Sequence, residues 1–142
     1  MDEKDYKIIA ALQKGARTPL RKISKQVHMS ESAVRKRVKR LEREGVIEHY
    51  TIVADPSKLG YNAMAVVGLD VMPEKHQEVI EKLMKLEEVK KLATVAGEHM
   101  ITGEVWAHDN KELADIVIRK IGGIVGVKVR TSVILERIKD MR

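Results

Sequence analysis

Up to Gly45 the apolar residues of this chain recur every three or four positions, and after Gly45 they recur every second position. That change of period at one glycine limits the fold more than any other feature, because it separates a helical segment from one dominated by strands. Before it, three helices are legible. "DEKDYKIIAALQKG" puts Tyr6, Ile9, Ala10 and Leu12 near helical spacing, with acids in the first turn and Gly15 as a stop. "TPLRKISKQVH" starts with Thr18 as N-cap and Pro19 at the first helical position, and its buried stripe is Leu20, Ile23 and Val27. After the short turn "HMS", Ser30 caps a third helix that runs to Gly45.

Beyond Gly45, "VIEHYTIVAD" alternates as two short strands meeting near residues 49–51. Three helices and a β-hairpin predict a winged helix-turn-helix over residues 1–54. Pro56 and "PSKLGY" then break the pattern, so residues 55–61 read as a linker and 62–142 as a second domain. There "YNAMAVVGLDVM" is a strand. "PEKHQEVIEKLMKL" is a helix started by Pro73, with Val79, Ile80, Leu83 and Met84 inward. "VKKLATVAG" and "HMITGEVWAHD" are strands around a tight turn at "GEH". "NKELADIVIRKIGG" is a helix capped by Asn110, and "VKVRTSVILERI" is the last strand. The order β-α-β-β-α-β predicts an α+β, ferredoxin-like domain with both helices on one face of an antiparallel sheet. In the first strand neither alternate set is polar: Ala63, Ala65, Val67 and Leu69 oppose Met64, Val66 and Gly68. A sheet apolar on both sides needs a partner, so a homodimer through the sheet is expected.

Charge is divided as sharply as period. Residues 1–54 hold 13 Lys/Arg against 7 Asp/Glu, whereas residues 55–142 hold 14 of each, so the whole +6 excess lies in the helical third. Its densest stretch is "SESAVRKRVKRLEREG", residues 30–45, in which six of sixteen residues are basic. Ala33, Val34, Val38 and Leu41 form the apolar seam of that helix, leaving Glu31, Ser32, Arg35, Lys36, Lys39 and Arg40 on the other face. A helix after a tight turn that carries this face is suited to the major groove of double-stranded DNA. Arg is shaped for guanine and Ser for base edges, while Arg17, Arg21 and Lys22 at the second helix suit phosphates. Ser30 and Arg37 complete the candidate DNA-binding set. An architectural protein that wraps DNA with little sequence preference would use the same helix.

The residues Ser30, Val34, Arg37, Val38, Leu41, Gly45, Val46 and Ile47 follow the pattern S-x-x-x-V-x-x-R-V-x-x-L-x-x-x-G-V-I. With "DEKDYKIIAALQKGART", "YTIVADPSKLGY" and "GVKVRTSVILERIK" they resemble the leucine-responsive/asparagine-regulator (Lrp/AsnC) family of transcription regulators over nearly the full length. The resemblance implies a C-terminal βαββαβ (RAM) domain that senses amino acids, and dimers that often assemble into tetramers or octamers. It also implies a small amino-acid effector bound between dimers, at the turn joining the second and third strands and at the last strand. The family's turn reads Gly-Asp-x-Asp; here it is Gly97, Glu98, His99 and Met100, so the second acid is absent. Thr131 and Ser132 stand at the family's hydroxyl positions, and Val129 stands where another hydroxyl is common. The same residues also read as an ordinary hairpin turn and strand.

Other functions find no support. The absence of Cys removes disulfides, thiolate nucleophiles and Cys-based zinc sites, and fits a cytoplasmic protein. No apolar run approaches the 18 or so residues of a membrane span, and "MDEKDYK" lacks the apolar stretch of a signal peptide. The five His residues (28, 49, 76, 99 and 108) lack metal-ligand spacing, "GGIVG" lacks a nucleotide-loop context, and Trp106 reads as packing. No cofactor, metal or enzymatic activity is expected.

Overall fold

The computed structural model describes residues 1–139, and these form two compact units divided between Val53 and Ala54. The first contains α1 (Glu3–Lys14), α2 (Leu20–Val27) and α3 (Glu31–Arg43). Ile8, Ile23, Val27, Val34 and Val38 share one core, with Ala11, Leu12 and Leu20 packed at its margin. The inner face of α1 runs through positions 5, 8 and 12. Tyr6 and Ala10, read from spacing as inward, are therefore exposed, and Asp5 takes the inner position instead.

The helix boundaries follow local chemistry. Pro19, rather than Thr18, is the N-cap of α2, because the first helical hydrogen bonds, from Lys22 and Ile23, end on its carbonyl. His28 closes α2 in the left-handed region at φ 52°, a conformation His tolerates better than most residues. The turn delivers the chain to Ser30, whose hydroxyl oxygen accepts from the Ala33 N–H at 3.2 Å and caps α3. Gly45, at φ 71°, ends α3 as its left-handed residue.

The hairpin expected over residues 46–53 does not form: the segment contains no strand, and Val46, Tyr50, Ile52 and Val53 are exposed. Residues 49–51 offer no Gly or Asn for the paired positive φ angles of a tight hairpin. The Tyr50 hydroxyl donates instead to the Glu42 carboxylate at 2.7 Å, tying the segment back to α3.

In the second unit a short 3₁₀ turn, Ser57–Leu59, precedes β1 (Ala63–Val71). Then follow α4 (His76–Met84), β2 (Val89–Thr94), β3 (Ile101–Ala107), α5 (Asn110–Asp115) and β4 (Val127–Val133). Pro73 opens a 3₁₀ turn before α4, and α5 widens over Ile116–Ile121 into a π-helical turn. Asp109, one residue before the expected Asn110, is the N-cap of α5 and accepts from the Glu112 N–H at 2.8 Å. The strands lie in the order β2-β3-β1-β4, every neighbouring pair antiparallel.

One face of this sheet is the core. Ala63, Ala65, Val67, Leu69 and Val71 of β1 pack with Ile101, Val105, Val79, Leu83, Leu113, Ile116 and Ile121. The other face is mixed rather than apolar throughout. Met64 and Val66 of β1 lie opposite Trp106 and Glu104 of β3, and Val66 lies opposite Ser132 of β4. Met84, expected inward, is 74% exposed, since Val79 and Leu83 already occupy the inner face of α4.

That difference between neighbours is measurable in the melting of the second unit. Leu83→Ala, which empties a fully buried site, is expected to cost about 2–5 kcal/mol. Met84→Ala is expected to change stability by no more than about 0.5 kcal/mol.

Candidate nucleic-acid interface and effector site

The apolar seam of α3, Val34, Val38 and Leu41, is buried as read, and Ala33 is half-buried. Ser32, Arg35, Lys36 and Lys39 are exposed on the same helix. Among the described residues no acid lies within ion-pair distance of Arg17, Arg21, Lys22, Lys36 or Lys39. Arg35 differs: its guanidinium donates to Glu31, one turn earlier, at 3.0 Å. A cleft of about 390 Å³ beside α3 brings Arg17, Arg35 and Lys39 around a floor that includes Leu12, Leu20 and Val38. The spacing on one helix thus puts these cations together with Arg17, which precedes α2.

Two members of the candidate set point elsewhere. Arg37 donates through Nη1 to Asp2 at 2.6 Å and to Asp5 at 2.8 Å, and Arg40 donates through Nη2 to Asp5 at 2.6 Å. Their guanidinium groups are therefore bonded to carboxylates at the start of α1, and Arg40, read on the outer face, shares this inward contact with Arg37. Ser30 likewise spends its oxygen on the cap of α3.

Asp5 was not singled out by the sequence reading, although it is only 1% exposed. With Asp2 it forms a reciprocal cap: Asp2 Oδ1 accepts from the Asp5 N–H, and Asp5 Oδ2 accepts from the Asp2 N–H, both at 2.9 Å. The signal was the two acids three residues apart at the start of a helix, here serving as a capping box. Burial pushes the Asp5 carboxyl up, but the Asp2 backbone N–H and the guanidinium groups of Arg37 and Arg40 outweigh it and hold the pKa at about 2. Tyr50 goes the other way. Partial desolvation, then its hydrogen bond to the Glu42 carboxylate, pushes the hydroxyl of this half-exposed residue up to about 12, so it remains a neutral donor.

In the second unit the candidate effector residues do not converge within one chain. The β2–β3 connection covers residues 95–100, longer than a tight turn, with the Val95 N–H donating to the Met100 carbonyl at 2.9 Å. Gly97, at φ 148°, and Glu98 are exposed. Met100 packs against the core. The His99 ring lies against Gly68, where a Cβ would come within 2.3 Å of it, and its Nδ1 is 3.2 Å from Asp70. Thr131 is paired with Val67 and Ser132 with Val66, so the two hydroxyls lie on opposite faces of the sheet. His99 and Ser132 share the open face. Glu104 on that face is 7% exposed and accepts from the Trp106 indole at 2.7 Å and from Arg137. Burial raises its carboxyl pKa, and those two donors more than reverse the shift. Among the described residues no cluster of His, Asp or Glu could hold a metal ion, and no helix is long and apolar enough to cross a membrane.

Comparison with known proteins agrees with both units. Residues 1–42 match the AsnC-type helix-turn-helix domain, and residues 64–142 match the Lrp/AsnC ligand binding domain. The chain belongs to the Lrp/AsnC family. The HTH-type transcriptional regulator LrpA of Pyrococcus horikoshii is 50% identical over 98% of this chain and 99% of its own length. LrpA of Pyrococcus abyssi is 51% identical over the same shares. The structure of E. coli AsnC superposes with a TM-score of 0.90 at 25% identity, covering 99% of this chain and 95% of that one. The chain is accordingly a DNA-binding transcription regulator of the Lrp/AsnC type and not an enzyme, and these relatives do not favour a purely architectural role.

The Asp5 clamp predicts how the first unit responds to substitution and to acid. Asp5→Asn leaves Arg37 with Asp2 as its carboxylate and takes from Arg40 the one it bonds, and is expected to cost about 2–3 kcal/mol in urea unfolding of this unit. The folded-state pKa lies below the ordinary value of 3.8. The stabilisation it contributes is therefore present in full above that value and lost as pH falls toward about 2. Asp5→Asn should remove this part of the acid sensitivity.

Proposed function

We propose that α3 reads DNA in the major groove with Ser32, Arg35 and Lys36 toward base edges. Lys39, with Arg17, Arg21 and Lys22, then meets phosphates. Arg37 and Arg40 act from behind, holding α3 on α1. The observation that supports this reading is the division of α3 into a buried seam, a clamped pair of arginines and a remaining face whose Lys36 and Lys39 have no acid partner among the described residues. Two copies of the chain join through the open face of the sheet, where Met64, Val66 and Trp106 supply apolar area. Such a dimer presents two α3 helices to half-sites about one helical turn apart, or a multiple of it. Dimers of this kind build tetramers or octamers, in the cytoplasm.

A small amino acid is the effector in this reading. The exposed amides beside Gly97 suit its carboxylate and Glu98 its ammonium group. Because His99 and Ser132 share a face while Thr131 lies on the other, a complete site needs residues from more than one copy. Effector binding there would alter assembly and so couple to DNA binding.

Selection from a random duplex pool at about 150 mM salt is expected to enrich a palindrome, and its spacing is expected to shift when amino acids are added. Tight binding without enrichment would return the architectural reading. Arg35→Ala is expected to cost roughly 1–3 kcal/mol and relax preference at one base pair. Lys39→Ala should weaken all sequences alike and reduce the salt slope by about one. A calorimetric panel of amino acids that gives no heat, or light scattering that shows a monomer at micromolar concentration, would remove the effector or the dimer from this account.

A further inference from the structure

The cationic face of α3 contains one feature that a purely electrostatic DNA grip does not explain. Glu31 is the only acid in the first half of the helix, and its carboxylate is exposed beside Ser30, Ser32, Arg35 and Lys36. A carboxylate turned toward a polyanion weakens every phosphate contact around it. A charge in the first turn favours the helix dipole, but that gain requires only an acid near the N-terminus and no particular partner. Here the carboxylate does have a partner, since Glu31 Oε1 accepts from Arg35 Nη2 at 3.0 Å across one turn. The contact involves one guanidinium nitrogen. The remaining donors of Arg35 and the second oxygen of Glu31 are left for other groups, among the described residues. Both side chains are about half exposed, so the pair lies at the surface rather than in the core.

Base chemistry gives such a pair a use. In the major groove guanine shows two acceptors, N7 and O6, which suit Arg, and cytosine shows the N4 amino donor, which suits Glu. Thymine offers Glu no donor at all, and a phosphate repels it. We infer that Glu31 is a specificity-determining residue, and that the Glu31–Arg35 pair reads G·C-containing sequence, with Arg35 on a guanine and Glu31 on a cytosine amino group of the same or the adjacent base pair. This rests on the placement of α3 in the major groove proposed above. The carboxylate also holds the guanidinium in one place before DNA arrives, so less freedom is lost on binding.

The test is duplex selection with the full-length protein and with Glu31→Gln, Glu31→Ala and Arg35→Ala, followed by titration of the selected duplexes. Gln presents both a donor and an acceptor and pairs with adenine. Glu31→Gln is therefore expected to replace cytosine by adenine at one position of each half-site, and Glu31→Ala to lose preference at that position alone. Replacing that cytosine should weaken the unaltered protein by roughly five- to 150-fold and Glu31→Ala less than threefold. If Arg35→Ala alters the selected motif while neither Glu31 variant does, this inference is overturned and the groove placement stands. If no variant of α3 alters the motif, or no motif is selected, the placement itself falls and the inference with it. Because Glu31 is exposed and Gln has high helix propensity, a folding defect does not account for a changed base at unchanged affinity.

Discussion

The buried carboxylate of Asp5 is the contact on which the DNA-binding unit depends. Small three-helix units have little apolar area with which to fix the angle between helices, and a charge taken out of water must be fully partnered or it is destabilising. Asp5 is partnered on every side, by the N–H of its own helix cap and by two guanidinium groups reaching over from α3. These directional bonds complement the non-directional packing of Ile8, Val34 and Val38. They locate α3 along its own axis as well as against its neighbours. The outward placement of Arg35, Lys36 and Lys39 is a result of that positioning.

The second unit solves a different problem with the same economy of parts. Alternation along β1 and β3 sends Val67, Leu69, Ile101 and Val105 to the helices and Val66, Glu104 and Trp106 to the open side. The open side is neither a plain solvent face nor a plain apolar one. Its acid is satisfied by an indole and an arginine, so the surface combines apolar area with a polar centre whose hydrogen bonds are already made.

Much of this was legible in the amino-acid order, because periodicity records burial. The three helices and the succession of four strands follow directly from which positions are apolar, whereas β1, apolar on both alternate sets, does not show by its pattern which set faces inward. What escaped was set by single atoms. No pattern of apolar residues shows that Asp5 faces inward, or that Arg37 and Arg40 turn back toward it while Lys36 and Lys39 do not, since all four are simply basic positions on one helix. The absent hairpin over residues 46–53 has a related cause. Alternation describes side chains, whereas a strand also needs a backbone partner, and the Tyr50–Glu42 hydrogen bond draws this segment elsewhere. The resemblance to a known family supplied the candidate effector residues, but which of the adjacent hydroxyls Thr131 and Ser132 takes the open face depends on register.

The edges of the sheet carry a consequence of their own. β2 and β4 each have one neighbour, so each leaves a row of backbone groups open to pairing with another molecule. Edges of that kind can seed fibres that grow without limit. Here β2 carries Lys90 and Lys91, and β4 carries Lys128 and Arg130, all exposed. Bringing two such edges together would place like charges side by side. Growth along the hydrogen-bonding direction is thereby discouraged, while the open face of the sheet stays available, and association by that face closes on itself once it is covered. A sheet that leaves one face open is well served by edges that repel their own kind.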